Sequence, residues 1–102
     1  MNEITIDRIK TPAGVKFKVV GRLTTINETY FEKVLTDALE EGFNRIDLNL
    51  QDVTLMTSVG IRIILKTYKS CVEAGGRLRI EDPSEVVKSV MELSALQQMM
   101  VD

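Results

Sequence analysis

The apolar pattern of this chain changes period between Leu50 and Ile61. Ile46, Leu48 and Leu50 alternate with polar neighbours, as one face of a strand requires, whereas Ile61, Ile64, Leu65, Tyr68, Cys71 and Val72 recur at helical spacing. Between the two runs lies Met56-Thr57-Ser58-Val59-Gly60, with two hydroxyls and a glycine. A strand that hands over to a helix across such a turn belongs to an α/β layer structure, in which a sheet buries one face against helices. The same turn puts a hydroxyl at a helix mouth. Ser58 can serve there as a structural cap, an anion site or a phosphoacceptor.

The flanking segments fit that layout. Ile4 and Ile6 alternate, Lys10-Thr11-Pro12-Ala13-Gly14 supplies turn chemistry, and Val15, Phe17 and Val19 alternate again, so an opening hairpin closed by Gly21 is expected. Thr25 followed by Glu28 reads as a capping box for a helix with the inward stripe Phe31, Val34, Leu35, Ala38 and Leu39, ended by Gly42. A strand is expected over 45–50 and a central helix from about Ser58 to Gly75-Gly76, where glycine supplies a left-handed cap. Arg77 to Ile80 reads as a short strand. Ser84 is the expected cap of a third helix with Glu85 in its first turn and Val86, Val87, Val90, Met91 and Leu93 as apolar surface. Leu96 to Val101 reads either as a short last helix or as an edge segment, with Met99-Met100 as soft packing. The expected whole is an α/β domain over 1–102, with a mixed, mostly parallel sheet of four to five strands that opens with an antiparallel pair and is flanked by helices.

Composition narrows the chemistry. The chain has 102 residues, enough for one buried core, and a formal net charge of -2, which carries no nucleic-acid footprint. It contains no histidine, which removes histidine-based triads and dyads and nearly every zinc arrangement. Its one cysteine, Cys71, lies on the apolar stripe of the central helix and reads as a buried, inert thiol. No convincing carboxylate pair or phosphate-binding glycine loop is present, since Gly75-Gly76 follows a helix instead of preceding one. The expectation is a protein that is not an enzyme, with no cofactor and no metal. Its N-terminus carries an acid where a targeting leader would be basic, and no apolar run reaches membrane-spanning length, so a soluble, cytoplasmic protein without membrane insertion is expected.

Met56-Thr57-Ser58-Val59-Gly60-Ile61 resembles the signature of the STAS family, the anti-sigma-factor-antagonist-like domains. Gly21-Arg22-Leu23-Thr24 is similar to its Gly-x-Leu-Asp, Leu48-Asn49-Leu50 to its Leu-Asp-Leu, and Ala74-Gly75-Gly76-Arg77-Leu78 to its Ala-Gly-Gly-x-Leu. The order and spacing cover nearly the whole chain. Thr24, Asn49 and Thr57 are neutral where the family often carries acids, so a phosphate here faces fewer like charges. The resemblance implies the same fold, Ser58 as phosphoacceptor with Thr57 as an alternative, and an anti-sigma factor with a serine-kinase fold as partner, with a phosphatase to reverse the modification. The implied partner surface comprises Thr24, Thr25, Met56, Thr57, Ser58, Gly60, Arg62, Lys66 and Lys69. Gly60 can either let a partner's active site approach Ser58 or pack against a neighbouring strand. Arg62, Lys66, Lys69 and Glu73 form a mostly basic stripe that is either a solvated face or a docking surface for an acidic partner. A competing reading keeps the fold without the covalent switch, as a docking subunit of an ATPase, sensor or transporter assembly.

Overall fold

The computed structural model of the chain describes residues 4–94 and the backbone of Met100 and Val101. Strands β1 (Ile4–Lys10), β2 (Val15–Leu23), β3 (Arg45–Met56), β4 (Arg77–Glu81) and β5 (Met100–Val101) alternate with helices α1 (Glu28–Glu40), α2 (Ser58–Glu73) and α3 (Glu85–Leu93) after the opening hairpin. The sheet order is β1-β2-β3-β4-β5, antiparallel between β1 and β2 and parallel thereafter. The expected mixed sheet is therefore present. Met100 and Val101 pair with Ile80 and Glu81, so the end of the Leu96–Val101 segment is an edge strand, while 95–99 and Met99 with them lie outside the described residues.

One sheet face forms the core with the helices. Val15, Phe17, Val19 and Leu23 of β2, Ile46, Leu48 and Leu50 of β3, and Leu78 and Ile80 of β4 meet Phe31, Leu35 and Ala38 of α1, Ile63 and Ile64 of α2, and Val87 and Met91 of α3. Each fully buried large aliphatic or aromatic side chain stabilises by roughly 1.5–3 kcal/mol relative to exposure. The alternate residues carry charges that pair across strands on the opposite face: Lys16 with Glu81 at 2.9 Å, and Asp47 with Arg77 at 3.2 Å and Arg79 at 3.4 Å.

Strand β3 is longer than its alternation suggests, and the reason is two bulges. Its inward residues are Ile46, Leu48, Leu50, Val53 and Met56, so the step changes from two to three after Leu50. Register against β2 slips at the same places, between Lys18 and Val20 and between Gly21 and Arg22, each time with an extra residue in β3. Polar side chains repair the ladder. Asn49 Oδ1 accepts from Gln51 N at 3.1 Å, and the Thr54 hydroxyl donates to Gly21 O at 3.4 Å. Gly21 does not close β2 but lies within it at φ 119, a backbone angle that side chains with a Cβ rarely adopt.

Both long helices end as their glycines predict. In α2, Gly76 N donates to Cys71 O at 2.8 Å and Gly75 N to Val72 O at 3.0 Å, the paired bonds of a Schellman motif, with Gly75 at φ 82. The α2 stripe is rotated from the expected one. Gly60, Ile63, Ile64, Thr67 and Cys71 are buried, Ile61, Leu65 and Tyr68 are partly buried, and Val72 is 50% exposed. In α3, Ser84 Oγ accepts from Val87 N at 3.2 Å as a true cap, but Val86 and Leu93 face outward, Leu93 at 90% exposure.

Candidate functional site

Parallel strands β2 and β3 end side by side, and the chain enters α1 and α2 from adjacent positions. Leu23 at the end of β2 ties the two exits together: its carbonyl accepts from Thr57 N at 3.0 Å and from the Thr57 hydroxyl at 3.4 Å. Thr57 is the N-cap residue of α2, with an extended backbone and no side-chain bond into the helix. Its hydroxyl thus points to a backbone carbonyl, as a turn hydroxyl does. Ser58 is not the cap. It is the first helical residue and is exposed.

The first backbone bonds of α2 run from Gly60 N (3.0 Å) and Ile61 N (3.5 Å) to Thr57 O, so the amides of Ser58 and Val59 precede the ladder. No acidic residue lies in the first turn. An anion on the Ser58 hydroxyl would meet unladdered N–H groups and the positive end of the helix dipole, worth about 0.3–1 kcal/mol to a charge at such a surface.

The entrance to α1 differs from expectation. Thr25 and Glu28 make no capping box, because the chain turns once more before the helix starts at Glu28. Asn27 controls that turn. Its Oδ1 accepts from Thr24 N at 3.1 Å and its Nδ2 donates to Arg22 O at 2.6 Å, while Ile26 N donates to the Thr24 hydroxyl at 3.2 Å. Asn27 is buried and Thr25 exposed; Ile26, at the tip of the turn, is 69% exposed. Spacing could not single out Ile26, since an isolated isoleucine before a helix usually packs inward.

Two residues of the expected partner surface belong to the core instead. Met56 is 4% exposed, and Gly60 is buried against it, such that a Cβ at Gly60 would lie 2.9 Å from Met56 Cγ and 3.4 Å from Leu23 Cβ. Gly60 therefore serves close packing under the turn. Asn49 is also displaced from the site, since it sits in the β3 bulge seven positions before Met56.

The basic stripe on α2 is largely neutralised. Arg62 Nη2 lies 3.2 Å from Glu28 Oε2 and Lys66 Nζ 2.9 Å from Glu32 Oε2, two rungs that join α1 to α2 along their length. Only Lys69 of the three cations has no ion pair among the described residues. The thiol of Cys71, farther along the same helix, is pushed up to about 11 by burial and is a poor nucleophile at neutral pH. Among the described residues no group of three or more His, Cys, Asp or Glu could hold a metal ion, and no helix is long and apolar enough to cross a membrane.

The chain is similar in sequence and in fold to known proteins. The anti-sigma-B factor antagonist of Staphylococcus aureus is 30% identical over 95 residues, covering 90% of this chain and 88% of that protein. A Thermotoga maritima relative is 34% identical over 71 residues, 69% of this chain but only 63% of its own length. Among solved structures, the protein TM1081 superposes with a TM-score of 0.80 at 28% identity, covering 93% of this chain and 78% of that one. The anti-sigma factor antagonist SpoIIAA in its unphosphorylated form superposes at 0.86 over 96% of this chain and 87% of that one, a likeness of fold at 20% identity. A profile of the STAS domain matches residues 4–101, the whole span from β1 to β5, and the chain belongs to the STAS domain family.

Proposed function

We propose that the chain is an anti-sigma-factor antagonist, a binding module that works by occupancy and not by catalysis. In its unmodified state it binds an anti-sigma factor of serine-kinase fold and frees a sigma factor; phosphorylation of Ser58 by that kinase releases it, and a phosphatase restores it in the cytoplasm. The observation that carries this reading is the exposed Ser58 at the first position of α2, held beside the β2–α1 turn by the Thr57 to Leu23 bonds. The Staphylococcus aureus relative named above as an antagonist supports it. The docking surface comprises Thr24, Thr25 and Ile26 from one exit and Thr57, Ser58, Arg62, Lys66 and Lys69 from the other.

Phosphorylation adds a charge of about -1.5 to -2 to a surface that must otherwise lose its water on binding, which weakens the complex without unfolding either protein. Ser58→Asp should therefore weaken binding at least about tenfold, roughly 1.4 kcal/mol, while Ser58→Ala binds as the parent does and cannot be modified. The check is calorimetric titration against the kinase-fold protein recovered by pull-down from native extract. Equal affinity for the two variants would favour the constitutive docking subunit, a reading to which the neutral Thr24 and Thr57 also lend support.

A further inference from the structure

Ser58 and Arg62 are four residues apart on the exposed side of α2, and Arg62 is already engaged by a carboxylate from another helix. Side chains at that spacing lie on one helix face with Cβ atoms about 5–6 Å apart. An arginine can therefore reach back to a group on the serine oxygen, and its planar fork suits phosphate better than a single carboxylate oxygen. We infer that Arg62 is the intramolecular partner of a phosphate on Ser58, and that phosphorylation exchanges the Glu28–Arg62 pair for a phosphate–Arg62 pair, leaving Glu28 as an added negative charge at the docking surface. This rests on the modification of Ser58 proposed above.

The exchange is physically cheap. The Arg62 and Glu28 side chains are 59% and 35% exposed, so neither must leave a desolvated pocket. The guanidinium contacts Glu28 through one nitrogen at 3.2 Å, a contact that a phosphate dianion with three acceptor oxygens outcompetes. The second rung, Lys66 with Glu32 at 2.9 Å, continues to hold α1 against α2, so the change stays local. Glu28 opens α1 next to the Asn27 turn, and once released it faces a partner from the same edge as Ile26. Arg62 thus helps hold the off state, and Glu28 reports the change to the neighbouring exit.

The test installs phosphoserine at position 58 during translation, so that neither kinase nor partner is needed. The second ionisation of the phosphate is followed by phosphorus NMR in the otherwise unaltered chain and in Arg62→Gln, Arg62→Lys and Glu28→Gln. The charged groups along the α1–α2 seam that starts beside Ser58 are Glu28 and Glu32 on α1 and Arg62 and Lys66 on α2. Arg62→Gln should raise the midpoint by roughly 0.2–0.7 pH unit, the size expected for an exposed pair. Arg62→Lys should retain part of the lowering, and Glu28→Gln should lower the midpoint further by freeing the guanidinium. Removal of Arg62 should then have a larger effect in the Glu28→Gln background. Equal midpoints with and without Arg62, in chains whose amide spectra show the same fold, would overturn the inference. Recovery of no anti-sigma kinase from native extract would instead remove the proposed function and leave the titration result standing.

Discussion

The entrances to α1 and α2 occupy equivalent places after adjacent parallel strands, yet they treat their polar side chains in opposite ways. At α1 the residue before the helix, Asn27, is buried and spends its amide on two backbone groups of the preceding turn. At α2 Thr57 makes the corresponding tether, to Leu23, and the next residue, Ser58, is left exposed. The difference separates holding a loop from presenting a group. A buried amide that meets two partners is costly to remove, because the groups it served stay buried. An exposed hydroxyl at the first helical position costs almost nothing to change, which is what a site of reversible modification requires.

Breaking the first entrance should have the largest effect. Asn27→Ala leaves Thr24 N and Arg22 O without their partner and should cost about 2–4 kcal/mol, lowering the melting temperature on the order of ten degrees for a domain of this size. Urea unfolding followed by circular dichroism measures it. A loss under half a kcal/mol would mean that water replaces the amide and that the turn is held otherwise.

The link between the entrances should matter less. Reversal of Arg62 and Lys66 to Glu sets four acids along the α1–α2 seam and should destabilise by about 1–2 kcal/mol, less at high salt, since each exposed pair contributes at most about 1 kcal/mol. Unfolding at low and high ionic strength checks both parts. Salt-independent destabilisation would point to lost packing by the long side-chain stems instead of charge.

Ser58→Ala should have the smallest effect, within about 0.5 kcal/mol of the parent, as for surface positions without special roles. A loss beyond about 1 kcal/mol would show that the hydroxyl caps the helix after all, and the contrast between the two entrances would disappear.

Much of this was legible from residue order. Period-two and helical apolar spacing, the hairpin turn, Ser84 as a cap and the glycine stops predicted the element order, and the structure follows it. The length of β3 was not legible, because its bulges change the inward step from two to three and a strand then imitates a loop. The capping box at Thr25 was equally misleading. Thr-x-x-Glu has the required spacing, but the burial of Asn27 makes another turn more favourable. At the site, a hydroxyl at the start of α2 and close packing at Gly60, one of its two readings, could be anticipated from the residues, and the nearness of Thr24 to Thr57 from the family resemblance, whereas the burial of Met56 and the pairing of Arg62 and Lys66 could not.

The sequence by itself determined the α/β class, the position of a hydroxyl at the mouth of the central helix and the absence of histidine chemistry, since all three depend on residue type and local spacing. Only the tertiary structure decided which members of that local set are available. Bringing β2 beside β3 places Leu23 under Thr57 and against Gly60, and packing α1 along α2 supplies Glu28 and Glu32 to a stripe that would otherwise be basic. Charge and exposure are properties of neighbours, and these neighbours are some 34 residues away in the chain, beyond the reach of any local pattern.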